Sequence, residues 1–179
     1  MDETDTRVLV QSLPRDMLAS PPPLHYHLLG RWMGKRAMAG RVQGKVALVV
    51  GAGCVGPGWG NGRAAAVLFA REGAKVFAVD KDAETMTETV ARVGSDGEIV
   101  THVCDVLDDA QVGAMVAACC KAFGPIDILV NNVGGSAAGG AAEMSEQVFD
   151  TQIDYNLKSV FLTCRHVIPV MIEKSGGGA

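Results

Sequence analysis

The sequence predicts an α/β fold: a doubly wound parallel sheet cut off after four strands and a long fourth helix. Three observations predict it. From Lys45 onward, short apolar runs alternate with helical patterns. Each run is apolar at almost every position, as strands covered on both faces are, and a glycine-rich turn separates the first run from the first helix.

The first strand is KVALVV, starting at Lys45, and the helix after the turn is NGRAAAVLFAREG, with Gly73 as its stop. KVFAVD is the second strand. The second helix, DAETMTETVARVG, has Asp82 as a cap and Gly94 as an end. EIVTHVCD is the third strand. The third helix opens at Asp108 with Gln111 three residues later as a capping box, sets Val112, Met115, Val116 and Cys119 on one face, and ends at Gly124-Pro125. DILVNN makes the fourth strand. Residues 144–178 read as one long helix with Ile153, Leu157, Val160, Phe161, Cys164, Ile168 and Met171 at helical spacing, and Pro169 should kink it. The outer edge of the fourth strand is expected to lack cover.

Right-handed crossovers place the first strand at the centre of such a sheet, and ligands bind beyond the carboxyl ends of the strands at the switch point. Here that point lies between the first and fourth strands, so the residues just after each strand are the informative ones.

The first 43 residues differ from the rest. Pro21, Pro22 and Pro23 stand together and no periodicity is sustained, so residues 1–43 read as a loose extension and residues 44–179 as the domain. Met38 is a second candidate start. The 179 residues suit one domain, and 48% hydrophobic with 20% charged residues is the balance of an ordinary globular chain. A net charge of −4 gives no electrostatic footprint for nucleic acid, and no basic helical face suggests a membrane surface. A small molecule is the expected partner. The five cysteines show no CxxC spacing and read as thiols in a reducing compartment, with no metal site. No apolar run reaches the roughly 18 residues that span a bilayer. The start MDETDTR is acidic where a targeting segment is basic, so a cytoplasmic location is expected.

The turn after the first strand runs Gly51-Ala52-Gly53-Cys54-Val55-Gly56-Pro57-Gly58-Trp59-Gly60-Asn61-Gly62. Glycines there let backbone amides approach a pyrophosphate, and the positive end of the following helix favours it. Asp80 ends the second strand 18 residues beyond Gly62, near the roughly 20 at which an acid meets the adenosine ribose hydroxyls in Rossmann-like dinucleotide folds. Its carboxylate would repel the 2′-phosphate of NADP. Lys81 beside it softens that repulsion, but Trp59 rather than a basic residue precedes Gly60, so NAD is expected ahead of NADP.

Together, the glycine turn, Asp80, Asp105-Val106 after the third strand, Asn131-Asn132-Val133-Gly134 after the fourth and Asn156-Leu157-Lys158 in the long helix resemble a classical short-chain dehydrogenase/reductase from Gly44 onward. The resemblance implies a partial NAD(P)-binding Rossmann domain. Gly51, Gly53, Gly60, Asn61 and Gly62 would then serve the phosphates, Asp80 the ribose, Asp105 and Val106 the adenine, and Asn132, Val133 and Gly134 the nicotinamide ribose. It also implies that Asn156 holds a water in a proton relay, although a purely structural hydrogen bond is an equal use for it.

Two departures stand out. Val50 replaces the family's threonine, and eight residues rather than three separate Gly51 from Gly60. The family's catalytic Ser and Tyr-x-x-x-Lys have no match: the tyrosines are Tyr26 and Tyr155, and Tyr155 stands three residues from Lys158, not four. His102, His166 and Ser136 read as structural or turn residues. The resemblance implies an oxidoreductase for a secondary alcohol or ketone, of the 3-oxoacyl reductase kind or of the sugar, steroid or cyclic alcohol dehydrogenase kind. In its full-length form it would be a homo-oligomer through the long helix, and the 179-residue chain alone would be inactive. A non-catalytic dinucleotide-binding module and a methyltransferase are the competing readings.

Overall fold

The computed structural model describes residues 40–95, 97–174 and 179. The elements are β1 (Val46–Val50), α1 (Asn61–Arg71), β2 (Lys75–Asp80), α2 (Ala83–Val93), β3 (Glu98–Val103), α3 (Asp109–Phe123), β4 (Ile128–Asn131), α4 (Glu146–Ile153), a π-helical turn (Asp154–Lys158) and α5 (Ser159–Lys174). The extension expected over residues 1–43 lies outside the described residues up to position 39. Its last residues are tied to the domain, since the Arg41 amide donates to Glu72 Oε2 at 3.1 Å.

All four strands are parallel, in the order β3-β2-β1-β4. β1 is therefore central and the switch point falls between β1 and β4, as the crossover rule requires. Strand periodicity divides β1 between two cores. Val46, Leu48 and Val50 face Val112, Met115, Val116 and Cys119 of α3 and Leu162, Val167 and Met171 of α5. Ala47 and Val49 face Ala66, Val67 and Ala70 of α1 and Met86 and Val93 of α2.

Three expectations are corrected. β3 is not buried on both faces: it is the outermost strand beside β2, and Glu98, Val100, Thr101 and Val103 are exposed. The long helix is interrupted by the π-turn, and Pro169 lies inside α5, which continues past it to Lys174. The outer edge of β4 is partly met, because the Ala179 amide donates to the Asp127 carbonyl at 3.0 Å and its carbonyl accepts from Leu129 at 2.8 Å.

The long helical segment also carries two apolar faces instead of one. Leu162, Val167 and Met171 are buried, whereas Phe149, Ile153, Leu157, Phe161, Ile168 and Ile172 are exposed. Among the described residues no helix is long and apolar enough to cross a membrane.

Candidate functional site

The carboxyl ends of β1, β2, β3 and β4 open into a groove of about 390 Å³. Gly51, Gly53, Gly60, Asp80, Asp105, Val106, Asn132, Val133 and Gly134 line it, together with Cys54, Lys81, Thr85, Cys104, Leu107 and Tyr155. The residues picked from sequence for their place after each strand thus meet in one cleft. Asn61, Gly62 and Asn156 are not among those lining it.

The glycines differ in what they permit. Gly51 has φ 80°, and a Cβ there would sit 2.9 Å from the Val133 amide nitrogen, so only glycine joins β1 to the loop beside β4. At Gly62 a Cβ would lie 1.8 Å from the Gly51 carbonyl oxygen, which means α1 starts in direct contact with the end of β1. Gly62 serves helix–strand packing.

α1 is the helix suited to an anion. Asp82, Asp108 and Ser145 accept backbone amides at the starts of α2, α3 and α4, but Gly60 caps α1 with no side-chain hydrogen bond and no acid occupies the first turn. Its first amides and positive dipole end are left for a ligand at the rim where Gly60 stands. This is the feature by which the chain fits a pyrophosphate.

Asp80 is fixed by backbone donors: Oδ2 accepts from the Gly53 amide at 2.9 Å, and Oδ1 from the Lys81 amide at 2.8 Å and the Asp82 amide at 3.4 Å. Across the mouth, Lys81 Nζ donates to Asp105 Oδ2 at 2.8 Å. That bond, with the Leu107 amide on Oδ1, holds the Asp105 carboxyl below the usual range, and the same carboxylate raises the Lys81 ammonium. Burial, followed by the charges of Asp105 and Asp108, pushes the Cys104 thiol up to about 11, so it stays neutral. Val106 is buried and lines the groove beside it.

On the β4 side, Asn132 Nδ2 donates to the Gly51 carbonyl at 3.1 Å and ties the ends of β1 and β4 together. Asn156 is exposed, not on the apolar side of its helix as its spacing suggests. Its Oδ1 accepts from the Gly135 amide at 3.0 Å, and its Nδ2 donates to the carbonyls of Gly135 and Gln152, both at 2.9 Å. The carboxamide pins the loop after β4 to the π-turn.

The sequence reading missed three groups. Tyr155 joins the groove wall from the π-turn, a type of local distortion often found at functional sites. Arg63 is 2% exposed and heavily bonded. Its spacing with Ala66, Val67 and Ala70 on the buried face of α1 is the signal that would have found it. His166, read as structural, has Nε2 2.9 Å from Asp109 Oδ1 on α3.

The family model for the short chain dehydrogenases matches residues 45–179. The chain belongs to that family. Among its relatives, the D-threitol dehydrogenase of Mycolicibacterium smegmatis is 41% identical over 138 residues, covering 76% of this chain and 51% of that protein. A crystal structure from Burkholderia xenovorans, described as a short-chain dehydrogenase/reductase, superposes with a TM-score of 0.76 at 51% identity, covering 78% of this chain and 53% of that one. A metagenomic short-chain oxidoreductase solved with NADP superposes with a TM-score of 0.68 at 32% identity, covering 76% and 60%. The chain spans about half the length of the relatives it matches. The short-chain dehydrogenases are a family of NAD(P)-binding oxidoreductases, and membership in it sets aside the methyltransferase reading.

Proposed function

We propose that the groove binds NAD in preference to NADP, and that the whole protein interconverts a secondary alcohol and a ketone. Asp80 carries the cofactor reading. Its carboxylate lines the groove at the end of β2, held in place by three amides, where a fixed negative charge accepts from ribose hydroxyls and repels a 2′-phosphate. Lys81, the basic residue of the lining, is already paired with Asp105.

In this reading Gly51, Gly53, Gly60, Asn61 and Gly62 shape the pyrophosphate turn, and Asp105 and Val106 flank the adenine. Asn132, Val133 and Gly134 lead to the nicotinamide end, while Asn156 sets the adjoining loop through Gly135. Bound NAD supplies the hydride acceptor. The similarity to a D-threitol dehydrogenase supports an alcohol as the reduced substrate. The exposed stripe Phe149, Ile153, Leu157, Phe161, Ile168 and Ile172 supports a homo-oligomer in which a second copy covers the long helix.

Titrating the 179-residue chain with NADH, read by the enhancement of nicotinamide fluorescence and displaced by ADP, tests the reading. Saturable binding that ADP reverses is expected. NADH fluorescence that stays unchanged while the chain is folded would refute it. Turnover of a polyol panel is expected only from a form that also carries Ser and Tyr-x-x-x-Lys. Robust turnover by the 179-residue chain, lost on Tyr155→Phe, would place the chemistry elsewhere.

A further inference from the structure

Beyond Gly53, the loop that leads to Gly60 has no core of its own. Val55 is fully exposed, Gly58 has φ 102°, and Trp59 is 56% exposed. Such a segment orders only if something outside it holds it.

What holds it is a set of side chains centred on Arg63, in the first turn of α1. The guanidinium is 2% exposed, in a position that is unfavourable for a charge unless every donor is used. All three nitrogens donate, in four hydrogen bonds. Nε donates to Thr89 Oγ1 at 3.2 Å, one terminal nitrogen to the Gly58 carbonyl and to Glu88 Oε2 at 2.6 Å, and the other to the Thr85 carbonyl at 2.9 Å. Thr89 Oγ1 in turn donates to the Ala52 carbonyl at 2.9 Å. Outside this layer Glu88 pairs with Arg92, whose guanidinium lies 4.2 Å over the centroid of the Trp59 ring. Ala52, Gly58 and Trp59 of the loop are thereby all fastened to α2.

We propose that Arg63 is a positioning residue for the dinucleotide's pyrophosphate: it presets the lengthened glycine loop through the Gly58 carbonyl, with Glu88 and Arg92 as its outer support. It is not a phosphate ligand, because each guanidinium nitrogen is engaged inside the protein and the side chain is 2% exposed. The inference rests on the reading that this loop receives the pyrophosphate of NAD.

The test compares ADP, which carries the pyrophosphate, with adenosine, which does not, each competing against NADH on the 179-residue chain. In Arg63→Met the affinity for ADP should fall about tenfold relative to adenosine, the size expected for losing one charge-assisted contact's worth of preorganisation. Taking the ratio removes any loss of folded protein, which lowers both affinities alike. Hydrogen exchange should rise at residues 55–59 while the amides of β1 stay protected. An unchanged ADP-to-adenosine ratio in folded Arg63→Met overturns the proposal and leaves the NAD reading intact. If the wild-type chain binds adenosine no more weakly than ADP, the NAD reading falls and takes the proposal with it. If circular dichroism shows Arg63→Met unfolded, the surface variant Glu88→Ala decides: a ratio lowered in the same direction supports the clamp, and an unaltered ratio overturns it.

Discussion

The Gly53 amide donates to Asp80 Oδ2 at 2.9 Å, so the acid at the end of β2 also pins the second glycine of the loop. A Cβ at Gly53 would come within 2.7 Å of that same oxygen and 2.1 Å of Thr85 Oγ1. Gly53→Ala should therefore push Asp80 and Thr85 off their places together. We expect ADP affinity to fall by about tenfold, equivalent to ~1.4 kcal/mol. Isothermal titration of folded variant and wild type checks it.

Gly62→Ala addresses packing instead. The new methyl would meet the Gly51 carbonyl at 1.8 Å, and a backbone oxygen cannot swing aside as a side chain does. A loss of at least about 1–3 kcal/mol is expected, read as a Tm lower by about 2–4 °C for each kcal/mol in a chain of this size. Scanning calorimetry measures it.

Most of the sheet was legible because its signals are local. Strand β1 is apolar at every position, Asp82 and Asp108 cap α2 and α3 as their spacing predicts, and the switch point follows from chirality alone. What was not legible depends on neighbours distant in sequence. The spacing of Arg63 puts it on the buried face of α1, but what it bonds there shows only once Thr85, Glu88 and Thr89 are folded against it. β3 reads as buried until the strand order puts it at the edge, although Glu98, Thr101 and His102 hint at exposure. The π-turn has no sequence signature at all, so nothing local to Tyr155 places it in the groove wall.

The exposed stripe on the long helix predicts association. Leu157 and Phe161 are 61% and 60% exposed, four residues apart on one face, while Thr163 and Val167 are buried against the domain. Leu157→Glu with Phe161→Glu should shift the protein to a smaller species without lowering Tm by more than the loss of contacts between copies. Light scattering coupled to gel filtration is the measurement, and an unchanged mass would remove this face from consideration.

Acid should weaken the fold through its carboxylates. At Asp127, burial alone would raise the carboxyl, but the Val46 amide and Lys45 Nζ, each at 2.9 Å, outweigh it and hold it below its ordinary 3.8. Asp105 and Asp108 are lowered too, the first mainly by Lys81 and the second mainly by the Gln111 amide. A folded value below the unfolded one contributes stability that is complete above the unfolded pKa and is lost as pH falls through the folded one. Tm should therefore drop between about pH 5 and pH 2. Asp127→Asn should flatten part of that drop while leaving the neutral-pH fold in place.

Paired calorimetric titrations of NAD and NADP test whether Asp80 selects the cofactor. Wild-type chain should bind NAD at least about tenfold more tightly, a difference of ~1.4 kcal/mol. Asp80→Ala should weaken NAD and narrow that gap, because the hydroxyl acceptor and the charge that repels the 2′-phosphate leave together. Equal wild-type affinities for the two cofactors, or a gap that Asp80→Ala leaves untouched, would contradict the account.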